Sequence, residues 1–229
     1  MCVGIINITM DAPIIAILGG TGKEGKGLAV RWAAAGYLVI IGSRQVEKAR
    51  RIADEINQQL GIGTVIGLEN NGAAQKAEIC VLAVEHSAHQ QALEGLKDAL
   101  KGKILVDATS RVDYRNPVPP EPPCAAERAQ NILGPAVRVV AAFQNVPAKS
   151  LAKAIGQKLE ADVFVCSDDL QAAEEVLQLA RAAGMRAYYA GGLANAIVVE
   201  GLTSILISMN RHYGVKDASV VVTGITNGG

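Results

Sequence analysis

A chain of 229 residues, half of them hydrophobic, can bury a full core, so the sequence is that of a globular and not a disordered protein. Its 22 basic and 22 acidic side chains balance. This balance leaves no basic surplus for nucleic acid or for an acidic membrane surface, and we therefore expect small-molecule partners and no nucleic acid.

The four cysteines, at positions 2, 80, 124 and 166, include no C-x-x-C pair and give no metal-ligand spacing. Cys80 and Cys166 fall in apolar strand-like runs, where buried free thiols are expected. The apolar start at 1–10 lacks a basic beginning and a small-residue cleavage site, so we expect no export signal and a cytoplasmic protein. Residues 1–12 are expected to form an extension ahead of the fold.

The first regular element is an apolar run at 14–18, followed by a glycine turn and a helical pattern at 23–35. Gly20, Gly22 and Gly25 have the G-x-G-x-x-G spacing of the dinucleotide-binding fingerprint, in the strand–turn–helix context that it requires. We expect Gly20 to permit the turn, Gly22 to let the backbone approach a pyrophosphate, and Gly25 to let the helix lie close on the strand. Free N–H groups at the helix N-terminus then face the phosphates.

Strands and helices alternate along the rest of the chain. Apolar, β-branched runs predict strands at 38–41, 65–68, 79–84, 104–107, 137–142, 162–166 and 185–189, and helical periodicity predicts helices at 46–60, 70–76, 87–100, 125–133 and 170–183. The alternation predicts an α/β fold, a Rossmann doubly wound and mainly parallel sheet, over residues 13–190. Residues 220–222 are a candidate late edge strand.

Two segments interrupt this pattern. The stretch 116–124 carries five prolines and follows the end of a predicted strand, so it is either a plain surface connection or a rim of the site. The apolar segment 193–213 predicts a long helix, but its polar residues argue against a membrane span; they are Asn195, Glu200, Thr203, Ser204 and Asn210. We expect this C-terminal part, 191–229, to pack on the sheet or against a second subunit.

The corner after the second strand indicates which nucleotide binds. It reads Gly42-Ser43-Arg44-Gln45, with Lys48 one turn later and no carboxylate for a ribose 2′-hydroxyl. A hydroxyl, a guanidinium and an ammonium suit a 2′-phosphate, which predicts NADP. The alternative is a solvated helix start with Ser43 as N-cap.

Few groups for acid–base catalysis follow the strands. His86 and His89 stand after the strand at 79–84, where a polar helix start explains them better than catalysis. We predict no catalytic acid or base and no metal, which suits hydride transfer between two stacked rings. Asn145 and the backbone beside Pro147 are either ring-aligning groups or an ordinary turn.

The chain resembles the NADPH-dependent reductases of coenzyme F420, a 5-deazaflavin carrier, over almost its whole length. The resemblance rests on four segments, namely 18–22, 42–44 with Lys48, 140–148, and 193–196 with Glu200, Leu202, Thr203, Asn210 and Arg211. Ile197 and Ser204 stand where the family commonly has arginine and proline.

The resemblance implies that NADP phosphates are held by Thr21, Ser43, Arg44 and Lys48, and that hydride passes from nicotinamide C4 to deazaflavin C5, usually in a homodimer. The expected cofactor-binding set is Gly20, Thr21, Gly22, Lys23, Glu24, Gly25, Ser43, Arg44, Lys48, Val84 and Ala142. The expected set for coenzyme F420 is Asn145, Val146, Pro147, Asn195, Glu200 and Thr203. Two alternatives stay open, an NADPH-dependent reductase of a common flavin or a small imine or carbonyl compound, and a non-catalytic NADP-binding redox sensor.

Overall fold

A six-stranded, wholly parallel sheet forms the centre of the molecule in the computed structural model, which describes residues 12–153 and 155–225. The strands lie in the order β3-β2-β1-β4-β5-β6, the order of a dinucleotide-binding sheet. They span β1 Ile15–Leu18, β2 Val39–Ser43, β3 Val65–Glu69, β4 Ile79–Leu82, β5 Ile104–Asp107 and β6 Arg138–Ala141. The Rossmann prediction is confirmed.

Helices cover both faces of the sheet. They are α1 Lys23–Ala34, α2 Val46–Leu60, α3 Asn70–Lys76, α4 His86–Leu96, α5 Ala125–Leu133, α6 Ala148–Leu151, α7 Leu170–Ala182 and α8 Ala196–His212. Successive strand residues point to opposite faces, so Ile15 and Ile17 enter one core with α1, α2, α6 and α7. Ala16 and Leu18 enter the other core with α3, α4, α5 and the start of α8.

Two further predicted strands form a small sheet of their own. β7 (Val163–Val165) and β8 (Ala187–Tyr189) pair in parallel, and one antiparallel bridge between Ala141 and Cys166 joins them to β6. The predicted edge strand at 220–222 is wrong. That segment bonds Asp162 instead, through the Val220 carbonyl oxygen and the Val222 N–H, and forms no strand.

The helix predicted at 193–213 is present, beginning as a 3₁₀ turn at Leu193–Asn195 and continuing as α8. Val199, Thr203 and Leu206 are buried along one side, while other apolar side chains of α8 are exposed. Within the described residues, the segment Leu193–His212 has the length and apolar character of a membrane span, with mean hydropathy 1.4 and 39% of its most apolar window buried.

The predicted thiols are free and buried at Cys80 and Cys166, and so is Cys124. Cys2 and almost all of the expected extension at 1–12 lie outside the described residues.

Candidate functional site

Three glycines of the loop between β1 and α1 make contacts that leave no room for a side chain. Gly19 has the left-handed φ of +77°, and a Cβ added there would lie 2.5 Å from Val84 Cγ1. A Cβ on Gly20 would lie 2.7 Å from the Ile17 carbonyl oxygen, and one on Gly25 would lie 2.6 Å from the Gly20 Cα. The left-handed residue of the turn is thus Gly19 and not Gly20, while Gly25 makes the close approach expected of it.

The N-terminus of α1 opens onto this loop. Gly22 is the N-cap with extended φ and ψ of −78° and 172°, and no side chain caps the helix. A Cβ on Gly22 would meet nothing within 4 Å. Lys23 is exposed and Thr21 is half-buried beside it. Uncapped N–H groups at the positive end of a helix dipole suit an anionic group such as a pyrophosphate.

The corner after β2 lies at the same edge of the sheet, because β1 and β2 are neighbouring parallel strands. Ser43 is buried, and its Oγ accepts from the Gln45 N–H at 3.1 Å. Arg44 and Lys48 are exposed, and neither side chain bonds another group in the described part of the chain. Two cations therefore stand unpaired beside the glycine loop, with the donor chemistry that a 2′-phosphate requires.

Two more predicted cofactor residues lie past the ends of neighbouring strands. Val84, after β4, is half-buried and stands against Gly19. Ala142, after β6, is buried, and its N–H donates to the Asp107 carbonyl oxygen at 3.3 Å. The loop, the β2 corner and these two residues thus share the carboxyl edge of the sheet, where ligands of open α/β sheets bind.

Asp107 is the centre of a buried polar network at this edge. Its Oδ2 lies 2.7 Å from His89 Nε2, and its Oδ1 accepts from the Thr109 N–H at 3.0 Å. Its carbonyl oxygen accepts from Gln144 Nε2 at 2.9 Å. The interpretation of His89 as a polar helix-start residue is wrong, because its side chain is 3% exposed and paired with Asp107. The same interpretation does fit His86, which is the exposed first residue of α4.

Glu24 lies in the first turn of α1 and is half-buried. Burial, with a smaller contribution from the nearby Asp107 charge, raises the pKa of Glu24 to about 8. At neutral pH this carboxyl therefore carries a proton for most of the time. A neutral group beside the glycine loop is compatible with bound phosphates, whereas a carboxylate would repel them.

The loop after β6 begins with a strained residue. Phe143 has a φ of +76°, which is rare for a bulky side chain, and it is fully buried. Its ring packs edge-to-face on Trp32 with the ring centroids 5.8 Å apart. The Val146 N–H then closes the turn by donating to the Phe143 carbonyl oxygen, and Pro147 is the N-cap of α6. Packing in the core thus fixes an unusual backbone at the ligand edge.

Glu200 lies on the buried side of α8 and has both carboxylate oxygens engaged. Its Oε2 accepts from Arg111 Nε at 2.9 Å, and its Oε1 accepts from the Ala125 N–H at 2.5 Å. Glu200 and Arg111 have side chains only 1% and 6% exposed. Glu200 was predicted as a substrate-binding residue, but its observed contacts are structural. It joins α8 to the β5–α5 connection and orients Arg111.

Thr203 and Asn195, also predicted for the second substrate, differ in their surroundings. Thr203 Oγ1 is buried and donates to the Gln144 carbonyl oxygen at 2.9 Å, so α8 supports the loop after β6. Asn195 is exposed at the start of α8, where its Nδ2 donates to the Ala190 carbonyl oxygen. The structure therefore brings Thr203 to the loop that holds Asn145, but does not show Asn195 in contact with that loop.

Buried polar atoms without a partner collect at this edge. Within the described residues, five buried side-chain nitrogen or oxygen atoms have no hydrogen-bond partner. Four of them follow β5 or β6, namely Thr109 Oγ1, Arg111 Nη2, Gln144 Oε1 and Asn145 Oδ1. The fifth, Thr64 Oγ1, precedes β3 and so lies at the opposite edge of the sheet. A buried polar atom without a hydrogen bond lowers the stability of the fold, so four such atoms together at the ligand edge need a physical explanation.

Thr109, Arg111 and Gln144 were not among the site residues predicted from the sequence. A usable signal was present, because each follows the carboxyl end of a predicted parallel strand. The position of the Arg111 side chain, however, depends on its hydrogen bond to Glu200, which lies 89 residues later in the chain. Periodicity and local spacing contain no information on such a pair.

Comparison with known proteins agrees with this geometry. A family model described as NADP oxidoreductase, coenzyme F420-dependent, matches residues 14–111. The F420-dependent NADP reductase of Methanothermobacter thermautotrophicus is 37% identical over 221 residues, which cover 92% of this chain and 95% of that one. The enzyme of the same name from Methanocaldococcus jannaschii is 37% identical and is covered to 98%.

A solved structure from Arthrobacter sp. FB24, provisionally described as an F420-dependent NADP-reductase, has a TM-score of 0.77 to this chain. It is 27% identical, and the match covers 93% of this chain and all of that one. The similarity thus extends through β7, β8 and α8 and is not confined to the glycine-loop half.

Proposed function

This chain belongs to the family of F420-dependent NADP reductases, and from that premise we propose that it transfers hydride between NADP(H) and coenzyme F420. It is an NADP-dependent oxidoreductase, and the reaction moves one hydride from nicotinamide C4 to deazaflavin C5, or back. The residues of this chain have to hold two rings in contact, orient them and keep water away from them.

NADP(H) is the partner of the glycine loop and the β2 corner. The open N-terminus of α1 would receive the pyrophosphate, and Arg44 and Lys48 would bind the 2′-phosphate with Ser43 beside them. The remaining loop positions would line the same path, with Val84 and Ala142 under the nicotinamide half. The observation that supports this choice is the pair of unpaired cations, Arg44 and Lys48, after a strand end (residues 43–45) that has no acidic residue.

Coenzyme F420 would lie between the loop after β6 and α8. Asn145, Val146 and Pro147 form one wall, and Thr203 supports it from α8 through its hydrogen bond to Gln144. Glu200 would act by holding Arg111 and not by touching the ligand, since both of its oxygens are engaged. Asn195 would stand at the entrance, where its side chain is exposed.

We also propose that the enzyme works in the cytoplasm as a homodimer formed through α8. Three apolar side chains of this helix, Val198, Ile205 and Met209, are 70%, 54% and 42% exposed and repeat at helical spacing along one side. A second copy of α8 would cover them. Sedimentation of the wild type and of I205D would test this contact, since a buried carboxylate should shift the dimer toward monomer.

The single observation that carries the proposal is 37% identity across almost the full length of an F420-dependent NADP reductase. The test is NADPH oxidation, followed by loss of the nicotinamide absorbance, with coenzyme F420, FAD, FMN and riboflavin as parallel acceptors. We expect rapid turnover with the deazaflavin and little with the others. Turnover with flavins but not with coenzyme F420, or no turnover with any of the four acceptors, would refute the assignment of the second substrate.

A further inference from the structure

We infer that Thr109, Arg111 and Gln144 form a subsite for a planar amide or imide edge, meaning a carbonyl oxygen beside an N–H on a ring substrate. The inference rests on the proposed function, because it says how one of the two hydride-exchanging rings is recognised. Two sources share this chemistry, namely the carboxamide of nicotinamide and the pyrimidinedione edge of a deazaflavin.

The three side chains belong to one connected structure. The backbone N–H of Thr109 donates to Asp107 Oδ1, and Gln144 Nε2 donates to the Asp107 carbonyl oxygen. Arg111 and Gln144 are both bonded to α8, through Glu200 and Thr203, which lie one turn apart. Two shared supports, Asp107 and α8, therefore hold the cluster at the carboxyl edge of β5 and β6.

The direction of each free group follows from its existing bonds. Gln144 must turn its Nε2 toward the Asp107 carbonyl oxygen, which only accepts, and this leaves Oε1 as a free acceptor. Arg111 uses Nε for Glu200 and keeps Nη2 as a free donor. Thr109 keeps a hydroxyl that either donates or accepts. A carbonyl oxygen fits the donors and an adjacent N–H fits Gln144 Oε1.

Burial makes these free groups costly without a ligand. Thr109 and Gln144 are 2% and 7% exposed, and the Arg111 side chain is 6% exposed. An unpaired buried donor or acceptor destabilises the fold, so a structural role does not account for the three atoms. The left-handed backbone of Phe143, which comes directly before Gln144, is a second local cost at the same point. A ligand that satisfies all three groups would offset both.

Threonine-to-valine substitutions give a matched test. T109V removes a hydroxyl that has no protein partner, and T64V removes the other such threonine hydroxyl among the described residues, at the far edge of the sheet. Both variants should melt at or above the wild-type temperature, because neither breaks a hydrogen bond of the fold. Only T109V should bind a ring substrate more weakly, by about 2- to 10-fold, as expected for one neutral hydrogen bond.

The measurement is the equilibrium dissociation constant of each protein for NADPH and, separately, for coenzyme F420, from tryptophan-fluorescence or calorimetric titration. R111K is the third variant. It keeps a cation for Glu200 but loses the guanidinium fork, and it should weaken the same ligand as T109V by about 10-fold.

The two ligands separate the two sources. Weaker binding of coenzyme F420 alone assigns the subsite to the imide edge, and weaker binding of NADPH alone assigns it to the nicotinamide carboxamide. Wild-type affinity of T109V and R111K for both ligands, or an equal loss in T64V, would overturn the inference. A wild-type protein that binds NADPH but not coenzyme F420 would refute the proposed function, while the NADPH titrations would still decide the subsite.

Discussion

The choice of NADPH over NADH should depend on Arg44. We predict that R44A weakens NADPH binding strongly and leaves NADH binding almost unchanged, because only NADPH carries the 2′-phosphate. Arg44 is exposed and makes no bond within the described residues, so its removal should change the free energy of unfolding by no more than about 0.5 kcal/mol. Any loss of affinity would then reflect the ligand and not the fold.

The expected size follows from the contact that is lost. Hydrogen bonds to a charged group contribute about 1.5–3 kcal/mol, which corresponds to a loss of affinity of roughly 10- to 150-fold. Lys48 would keep part of the phosphate attraction, so the lower half of this range is expected for R44A alone. The loss should also shrink at high salt, since the phosphate contact is electrostatic and the side chain is exposed.

The assay is titration of the free protein with NADPH and with NADH, using R51A as the matched control. Arg51 is likewise an exposed arginine, on α2, and the acidic partner Glu55 is 3.9 Å away, so R51A removes the same charge from the helix that follows the β2 corner. Equal losses for the two nucleotides in R44A would show that Arg44 is merely a helix-start residue. A loss in R51A as large as that in R44A would show a general charge effect.

Two further predictions concern stability. The pKa of Glu24 is raised from 4.5 to about 8, so the folded protein binds more protons than the unfolded chain between those values; the free energy of unfolding should therefore decrease as pH rises from 4.5 to 8. In urea unfolding, E24Q should show a shallower decrease over that window, and parallel curves would contradict the assigned shift. Arg31 is buried and donates to the carbonyl oxygens of Leu151, Lys153, Gln157 and Ala183, so R31M should lose about 3 kcal/mol or more and lower the Tm by roughly 6–12 °C. Scanning calorimetry against the exposed variant R51M checks this, and similar Tm values for the two would refute the role of Arg31.

The sheet was predictable because its signal is local. Strands buried on both faces appear as continuous apolar runs, such as Val39 to Ile41 in β2, and such a run is followed by a turn and a helical pattern. The runs that became β7 and β8 were recognised equally well. Their separation into a second sheet was not predicted, because an apolar run does not specify its pairing partner. The Val-Val-Val run at 220–222 does not specify a pairing partner either. Its Val222 N–H bonds the carboxylate of Asp162, and the run forms no strand.

The candidate site likewise has a part that is predictable from local sequence and a part that is not. The glycine loop and the β2 corner are formed by consecutive residues, so spacing alone can predict them. The second half of the site depends on contacts between distant residues, such as Arg111 with Glu200 and Thr203 with Gln144. His89 shows the limit most clearly. Its position at a helix start suggested a solvated residue, and only the fold places it against a buried aspartate.

The two halves also differ in how they would recognise a ligand. At the glycine loop, backbone N–H groups and the dipole of α1 would suit any dinucleotide, and Arg44 and Lys48 would select the 2′-phosphate. At the loops after β5 and β6, recognition would depend on individual side chains, which Asp107 and α8 hold in place. Substitutions of Glu200 or Thr203 in α8 would therefore act on the ring bound there by shifting Arg111 and Gln144. The glycine loop and the β2 corner rest on β1, β2 and α1, so the binding of the NADP phosphates would be unaffected.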